Sequence, residues 1–310
     1  MATAMAPDGP RTLNGSPARR TREALIGRAF FVAALVSVII TVFIIFTVLE
    51  QAVEFVLSVD LSQLVAQGWF PRRGMFDIAT LVIGTLMVTA IAMLIAGPIG
   101  LLSAIYLAEY ASARIRGIVK PILEILAGIP SVVLGFFALT FINPNVVQAL
   151  VPGAKGFNLA AAAIAVGILT IPLVATISED SMKAVPLALR EASYGLGARR
   201  VTTATRVVVP AAVSGIVAAI ILGISRAVGE TMVVAIAAGA SGGSLRSVNP
   251  FEPGQTMTAA MAALATGSDQ VAGDTSAFKS LFFIGLLLFV ITLVLNMVGD
   301  AFVRRVRRAY

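Results

Sequence analysis

The sequence predicts an all-α integral membrane protein with six transmembrane helices. Three observations support this fold class. Of the 310 residues, 58% are hydrophobic and only 13% are charged, about half the charged share of a typical soluble domain. The mean hydropathy is +0.95. Apolar runs of about 20 residues, the length needed to cross a bilayer, recur along the chain.

Six apolar runs define the predicted spans. They are Ala29–Leu49, Ile78–Leu107, Ile118–Ile142, Leu159–Ile177, Ala211–Ala238 and Leu281–Val303. The first is longer than the apolar core of a secretory signal and is interpreted as a retained span. The second and third runs are long or closely spaced, so a broken helix is an open alternative there. Prolines inside three of the runs are either packing kinks or bends around a pathway.

The distribution of basic residues predicts the orientation in the membrane. With the N-terminus inside, the cytoplasmic segments contain 17 Lys and Arg and the outer loops contain 5. This asymmetry follows the positive-inside rule, so both termini are expected in the cytoplasm. The net charge of +7 then needs no nucleic acid partner, since it is explained by orientation in the lipid bilayer.

The chain is expected to comprise three regions. Residues 1–27 form a disordered cytoplasmic tail, residues 28–305 the transmembrane domain, and residues 306–310 a basic cytoplasmic C-terminus. Within the outer loops, Trp69 is expected to anchor at the membrane interface. Residues 256–267, with the sequence TMTAAMAALATG, are expected to form a short helix at the outer surface.

Several function classes are excluded by composition. The chain has no histidine and no cysteine, which removes the usual neutral-pH acid–base group, thiolate nucleophiles, disulfides and the commonest metal ligands. The ATP-binding pattern G-x-x-x-x-G-K-[ST] does not occur. We therefore expect a subunit that is not itself an enzyme, holds no metal or cofactor, and relies on another polypeptide for any use of ATP.

The segment Glu191–Pro210, EASYGLGARRVTTATRVVVP, is the most specific signal in the chain. Pro186 suits the first turn of a helix, and the following LALREASY is a good helix former with polar and apolar faces. Gly197 then allows the chain to turn. From its residues alone, the segment is either an amphipathic connecting helix on the membrane surface or a contact for another subunit.

An arginine and a glutamate interrupt the fifth apolar run. Arg226 and Glu230 are four residues apart and are expected on one helix face. A charge at the bilayer centre costs on the order of 2.5–3.5 kcal/mol, so lipid is the least favourable neighbour for this pair. Two interpretations are open: an ion pair that neutralises itself, or a transient site for an anion such as phosphate, whose oxygens match the guanidinium fork. A carboxylate beside it would accept a hydrogen bond from a protonated phosphate and repel sulfate.

Other acidic residues are expected to have local roles. Glu109 and Glu124 flank the second cytoplasmic loop and should balance its basic residues. Residues 178–180, Ser-Glu-Asp, should cap the stretch that enters the following loop.

The segment Glu191–Pro210 resembles the EAA loop of ABC-transporter permeases. Glu191, Ala192 and Ser193 lead, Gly197 follows after three residues, and Pro210 closes at the family's spacing. Ser193 stands where the family usually has a third alanine. In that family the loop, here about residues 179–210 and called the coupling loop below, contacts the ATPase subunit.

Three further motifs indicate which kind of ABC permease the chain resembles. Together with the coupling loop, YLAEYA (Tyr106–Ala111), ILEILAGIPSVVLGFFAL (Ile122–Leu139) and SRAVGETMVV (Ser225–Val234) resemble the PstC-type permease of phosphate-specific ABC transporters, from about residue 28 to 305. The resemblance implies the type I (MetI-like) fold, the bacterial cytoplasmic membrane, and phosphate import. It also implies a PstA-type partner permease, two ATP-binding subunits and an extracytoplasmic phosphate-binding protein. It associates Arg226 and Glu230 with phosphate passage.

Other functions stay open on the sequence. One is a proton-coupled secondary anion transporter in which Glu230 carries the proton. Another is an ABC permease for a different oxyanion. An intramembrane enzyme is disfavoured because histidine, cysteine and paired inward carboxylates are lacking.

Overall fold

The computed structural model describes residues 17–65, 68–239, 243–267 and 275–307. It contains two compact units, one reaching as far as Glu50 and the other beginning at Gln51. The first unit is helix α1, Pro17–Ser58, as far as Glu50. Large apolar side chains along this part of α1 are exposed, as expected of a helix surrounded by lipid.

The expected disordered tail is helical from Pro17 onwards. Proline at the first position of a helix loses no backbone hydrogen bond, and the residues after it include the good helix formers Arg, Glu, Ala and Leu. Residues 17–27 therefore correct that prediction, while residues 1–16 lie outside the described part of the chain. The expected basic C-terminus is likewise helical as far as Arg307.

A small antiparallel sheet, which the sequence did not predict, joins two of the predicted outer loops. Its strands are β1 (Gly68–Phe70), β2 (Met75–Phe76) and β3 (Ser244–Leu245), in the order β2-β1-β3. Short 3₁₀ turns at Leu61–Val65 and Pro71–Arg73 flank β1. Trp69 is fully buried, and its ring meets that of Phe76 edge to face with centroids 5.8 Å apart. The expectation that Trp69 anchors at the membrane interface is wrong, because its indole fills the core.

The helices of the first half of the second unit follow the sheet hairpin. They are α2 (Ile78–Ile105), extended by a π-helical turn Tyr106–Tyr110, then α3 (Ala113–Gly128), α4 (Ser131–Phe137), a π-helical stretch Ala138–Val147, α5 (Gln148–Leu150) and α6 (Leu159–Lys183).

The second half begins with the coupling loop. Its helices are α7 (Leu187–Gly195), α8 (Arg200–Thr203), a π-helical turn Ala204–Val208, α9 (Val209–Ala211), α10 (Val213–Val228), α11 (Met232–Ala237), α12 (Met257–Ala265) and α13 (Thr275–Arg307).

In the described residues, five helices are long and apolar enough to span a membrane, and a sixth span is formed if a bent pair is taken together. The bent pair is Arg200–Ala211 with Val213–Val228, which meet at 72°. The predicted third span is corrected: its run breaks at Ile129 and Pro130, and the spanning segment is Ser131–Leu150. Proline cannot donate a helical N–H bond and restricts the residue before it, so the helix stops there.

Helices α2 and α6 form the centre of the second unit. A Cβ atom added at Gly100 would lie 2.8 Å from the Cβ of Val174, and one added at Gly167 would lie 3.0 Å from the carbonyl oxygen of Ala92. Only glycine permits this close backbone approach, which is common where membrane helices pack. The two pairings also show that α2 and α6 run in the same direction.

Helix α12 is buried among α2, α11 and α13 and does not lie at an outer surface. Met257, Ala260 and Leu264 are in the core, and Thr256 caps the helix by accepting a hydrogen bond from the Ala259 N–H. The predicted helix is thus present, but its expected surface position is wrong. The alternation of alanine with Met and Leu makes it apolar on all sides, which is typical of a buried helix.

Candidate functional site

The coupling loop is organised by a helix stop of defined geometry. Gly197 has a left-handed φ of 77°, and its N–H donates to the Tyr194 carbonyl at 2.9 Å. The Ala198 N–H donates to the Ser193 carbonyl at 3.1 Å, which completes a Schellman motif at the end of α7. The predicted helix and its end at Gly197 are confirmed.

Around α7, the coupling loop presents exposed apolar side chains together with the acidic Glu191 and the basic Arg199 and Arg200. The exposed apolar side chains are Leu187, Leu189, Tyr194, Leu196 and Val201. Glu191 and Ala192 are exposed beside them, whereas Ser193 is half-buried with its hydroxyl 2.9 Å from that of Thr203. Pro210 lies in α9, partly buried, at the start of the bend into α10. An exposed apolar patch of this kind is typical of a protein contact.

Arg190 fastens α7 to the two helices behind it. Its guanidinium donates to Glu109 Oε1 from Nη2 at 2.9 Å and from Nε at 3.2 Å. It also donates to the carbonyl oxygens of Val185 and Met182, at 2.6 and 2.8 Å. Glu109 is 5% exposed and Arg190 13% exposed. The expectation that Glu109 balances the second cytoplasmic loop is therefore wrong, because its partner is in the coupling loop.

Glu179 is the centre of a second charged cluster. Its side chain is fully buried near the end of α6, and the ammonium groups of Lys120, at 3.1 Å, and of Lys183 are its closest cations. Arg116 Nε lies 3.8 Å away and donates to the Leu107 carbonyl oxygen. The expectation that residues 178–180 cap a helix is wrong, since they lie within α6.

The cluster also fixes the charge of Lys120. Burial by itself would lower the pKa of this ammonium group, but the carboxylates of Glu179 and Asp180 outweigh it and raise the pKa above 10.5. Lys120 thus stays charged and ties α3 to the end of α6.

Arg226 and Glu230 are separated by a helix end. Helix α10 stops at Val228 with Gly229 as its cap, so the expected single helix face does not extend to Glu230. The Glu230 carboxylate accepts a hydrogen bond from the Val233 N–H at 3.3 Å and thereby caps the start of α11. The Glu230 carbonyl accepts from the Thr258 hydroxyl at 2.7 Å, which joins this break to α12.

In the ranges that the structure describes, no acidic side chain lies within 4 Å of the Arg226 guanidinium. Of the two interpretations that the sequence left open, the self-neutralising ion pair is therefore not formed. Arg226 lies in the last turn of α10, where the helix dipole favours a positive charge. Its side chain is exposed on the surface of the chain.

The Arg226 side chain opens onto a cleft of about 260 Å³ between α3, α6 and α10. The α6 wall includes Pro172 and Thr176, and the α3 wall includes Glu124 and Ala127; the remaining lining is aliphatic. Water occupies about 30 Å³ per molecule in the liquid, so the cleft has room for an oxyanion and several waters. A cation in a concave, mostly apolar site is an arrangement suited to binding an anion.

Sequence reasoning missed two residues and misplaced a third. Arg190 stands beside the motif residue Glu191, but its partner Glu109 is 81 positions away and no local pattern reveals it. Glu179 precedes Lys183 by four residues, a spacing that signals an ion pair on a helix. Glu124 was assigned to a surface cluster, whereas it lines the cleft with Arg226.

The chain is similar to known transport proteins in sequence and in fold. The family model described as binding-protein-dependent transport system inner membrane component matches residues 96–309. Phosphate transport system permease protein PstC 1 of Mycobacterium tuberculosis (strain ATCC 25618 / H37Rv) is 32% identical over 258 residues, which cover 77% of this chain and 75% of that protein.

Two solved structures share the fold. A chain of a bacterial alginate ABC transporter, in complex with an alginate-bound periplasmic protein, superposes with a TM-score of 0.65 at 16% identity, covering 93% of this chain and 97% of that one. A chain of the MetNI methionine ABC transporter in an inward-facing form gives 0.54 at 20% identity, covering 74% and 93%. The predicted MetI-like fold is confirmed. The chain belongs to the inner-membrane components of binding-protein-dependent transport systems, the permease subunits of ABC importers.

Proposed function

We propose that this permease subunit imports inorganic phosphate and forms half of the translocation pathway. The observation that carries the proposal is the Arg226 guanidinium, which faces a cleft of about 260 Å³ with no carboxylate within 4 Å in the described residues. The 32% identity to a protein named as a phosphate permease supports the choice of phosphate. The guanidinium fork matches two phosphate oxygens.

The position of Arg226 supports a role in the pathway. Helix α10 packs antiparallel to α6, since Gly215 approaches Ser181 and Gly223 approaches Val174. Arg226 thus lies about 20 Å along α10 from its start at Val213. An unpaired charge is costly at such depth unless water or an anion reaches it.

Glu230 lies at the break between α10 and α11, beside the proposed pathway, and its carboxylate caps the start of α11. Its carboxylate holds the start of α11 and its carbonyl holds α12 through Thr258, so it fixes where α10 ends. Because Arg226 lies in that last turn, Glu230 positions the guanidinium over the cleft.

The coupling loop supports the proposal that ATP bound by a separate subunit drives transport. We propose that Glu191, Ala192, Ser193, Gly197 and Pro210 contact a separate ATP-binding subunit, or hold the loop that does. The complex would hold two such subunits, which bind the ATP, a PstA-type permease as partner and an extracytoplasmic phosphate-binding protein. This chain would have no nucleotide site or other cofactor of its own, and both termini would lie in the cytoplasm. A secondary carrier has no use for a coupling loop, and family membership favours the ABC importer.

The test is uptake of labelled phosphate and labelled sulfate in cells that depend on this transporter. Arg226→Gln should abolish phosphate uptake at normal membrane abundance, and Arg28→Gln, on the exposed part of α1, is the matched control and should leave it unchanged. Normal phosphate uptake in Arg226→Gln would refute the proposed pathway. Uptake of sulfate but not phosphate by the unsubstituted protein would show a permease for another oxyanion.

A further inference from the structure

Two opposite charges face the cleft between α3, α6 and α10. Arg226 reaches it from the end of α10, and Glu124 reaches it from α3. Neither forms an ion pair within 4 Å in the part of the chain that the structure describes. Both side chains are exposed at the cleft, so a ligand that carries hydrogen-bond acceptors and a donor can bind the two charges together.

Glu124 is not the partner of Arg116 or Lys120, the two basic residues that precede it on its side of α3. Arg116 donates to the Leu107 carbonyl oxygen from Nε and Nη2 and lies near Glu179. Lys120 pairs with Glu179 and Asp180. The two cations that precede Glu124 on the same side of α3 are therefore already engaged, and Glu124, one turn beyond Lys120, is directed to a different place.

We propose that Glu124 is a specificity-determining residue, which accepts a hydrogen bond from the protonated oxygen of an oxyanion held by Arg226. This inference rests on the proposed phosphate function. Near neutral pH, inorganic phosphate retains at least one P–O–H group, which donates to the carboxylate while its other oxygens accept from the guanidinium. Sulfate has no proton at that pH and is repelled by the carboxylate. Glu124, not Glu230, therefore supplies the discrimination, because the Glu230 carboxylate caps α11.

The absence of cysteine from the chain gives a direct assay. Ala127→Cys introduces a thiol at an exposed position in the cleft wall, next to Glu124 in the lining. The full chain, assembled with its partner subunits in lipid nanodiscs, is labelled with a maleimide over a range of phosphate or sulfate concentrations. Protection of the thiol then reports each anion at the permease itself, independently of any binding protein.

In the otherwise unsubstituted chain, phosphate should slow labelling at a concentration at least about tenfold below that of sulfate, as expected for a hydrogen bond to a charged group. Glu124→Gln should abolish this difference, and Glu124→Asp, which keeps the carboxylate, should retain it. The matched control is Glu50→Gln, an exposed carboxylate on α1, which should keep the preference for phosphate.

An unchanged preference in Glu124→Gln would overturn the inference. The inference would also be overturned if the complex took up phosphate while phosphate protected neither the thiol of Ala127→Cys nor that of a second reporter, Leu173→Cys. Failure of the proposed function is a different result, since the unsubstituted complex would then take up no phosphate at all.

Discussion

Arg190 in the coupling loop and Glu109 at the end of the second span form a nearly buried ion pair, with Nη2 and Oε1 2.9 Å apart. The same guanidinium donates to two carbonyl oxygens where α6 ends. A single side chain therefore holds α7 to two membrane helices, so that a force on the loop reaches both.

We expect substitution of either partner to loosen α7. Arg190→Met leaves the Glu109 carboxylate buried without its cation, which should cost about 3 kcal/mol in the stability of the loop. Amide hydrogen exchange in α7 should accelerate, and ATP hydrolysis should continue with less uptake. Glu109→Gln should act in the same direction, and the double variant should cost less than the two single changes added together. Strict additivity would show that the two residues act independently.

Reversing the charge at Glu191 should uncouple the transporter. Glu191 is exposed beside the apolar patch of the coupling loop, so Glu191→Lys alters the contact surface without disturbing the core. Uptake should fall about tenfold or more, as expected for a charge mismatch in an interface. Membrane abundance should be normal, and Glu191→Gln should have the smaller effect. Coupled uptake at the normal rate in Glu191→Lys would contradict a contact at this position.

The ion pair between Asp77 and Arg246 should make stability depend on pH. Burial by itself would raise the pKa of Asp77, but hydrogen bonds from Arg246 and Thr80 outweigh it and lower the pKa below 3.8. Because the folded pKa is the lower one, the stabilisation is fully present above pH 3.8 and is lost as the pH falls through the folded value. Asp77→Asn should lower the thermal midpoint at pH 7 and flatten its decline under acidic conditions. An equally steep decline in the variant would exclude Asp77 as the source.

Gly84 should tolerate no side chain. A Cβ atom there would lie 2.3 Å from the carbonyl oxygen of Gln255, so Gly84→Ala must push the start of α12 away from α2. We expect a loss of about 1–3 kcal/mol, measured by thermal unfolding in detergent. Gly117→Ala is the matched control: nothing lies within 4 Å of its added Cβ in α3, and it should stabilise the chain by about 0.5–1 kcal/mol. Equal effects of the two changes would refute the close contact at Gly84.

Features encoded by neighbouring residues were predictable. The coupling helix follows from a proline, a run of helix formers and a glycine within a dozen positions, and the structure places its end at Gly197. The apolar runs likewise gave the first, second, fourth and sixth spans. The third differs because Pro130 divides its helix, and the fifth differs because α10 ends at Val228 and the candidate span is the bent pair Arg200–Ala211 and Val213–Val228. Local propensity and hydropathy decide these features, so a single sequence is sufficient to read them.

Features that depend on distant partners were not predictable. Strand β3 has two residues and exists because it pairs with β1, more than 170 positions earlier. Spacing alone put Arg226 and Glu230 on one face, but Gly229 ends the helix between them and the Val233 N–H binds the carboxylate. Glu124 acquired its neighbour Arg226 through the packing of α3 and α10 around α6. Tertiary packing determines such contacts, and it produces no periodic pattern in the sequence.

Helix α10 follows a 72° bend, so a rotation about that bend displaces the far end of the helix more than its near end. Arg226 lies fourteen residues beyond the bend at Ala212, about 21 Å at the rise of an α-helix. A rotation of about 5° about that pivot would move the guanidinium by about 2 Å. A displacement of about 2 Å is enough to break a hydrogen bond. Small movements of a loop outside the bilayer are thus magnified at the depth where an anion would be held or released.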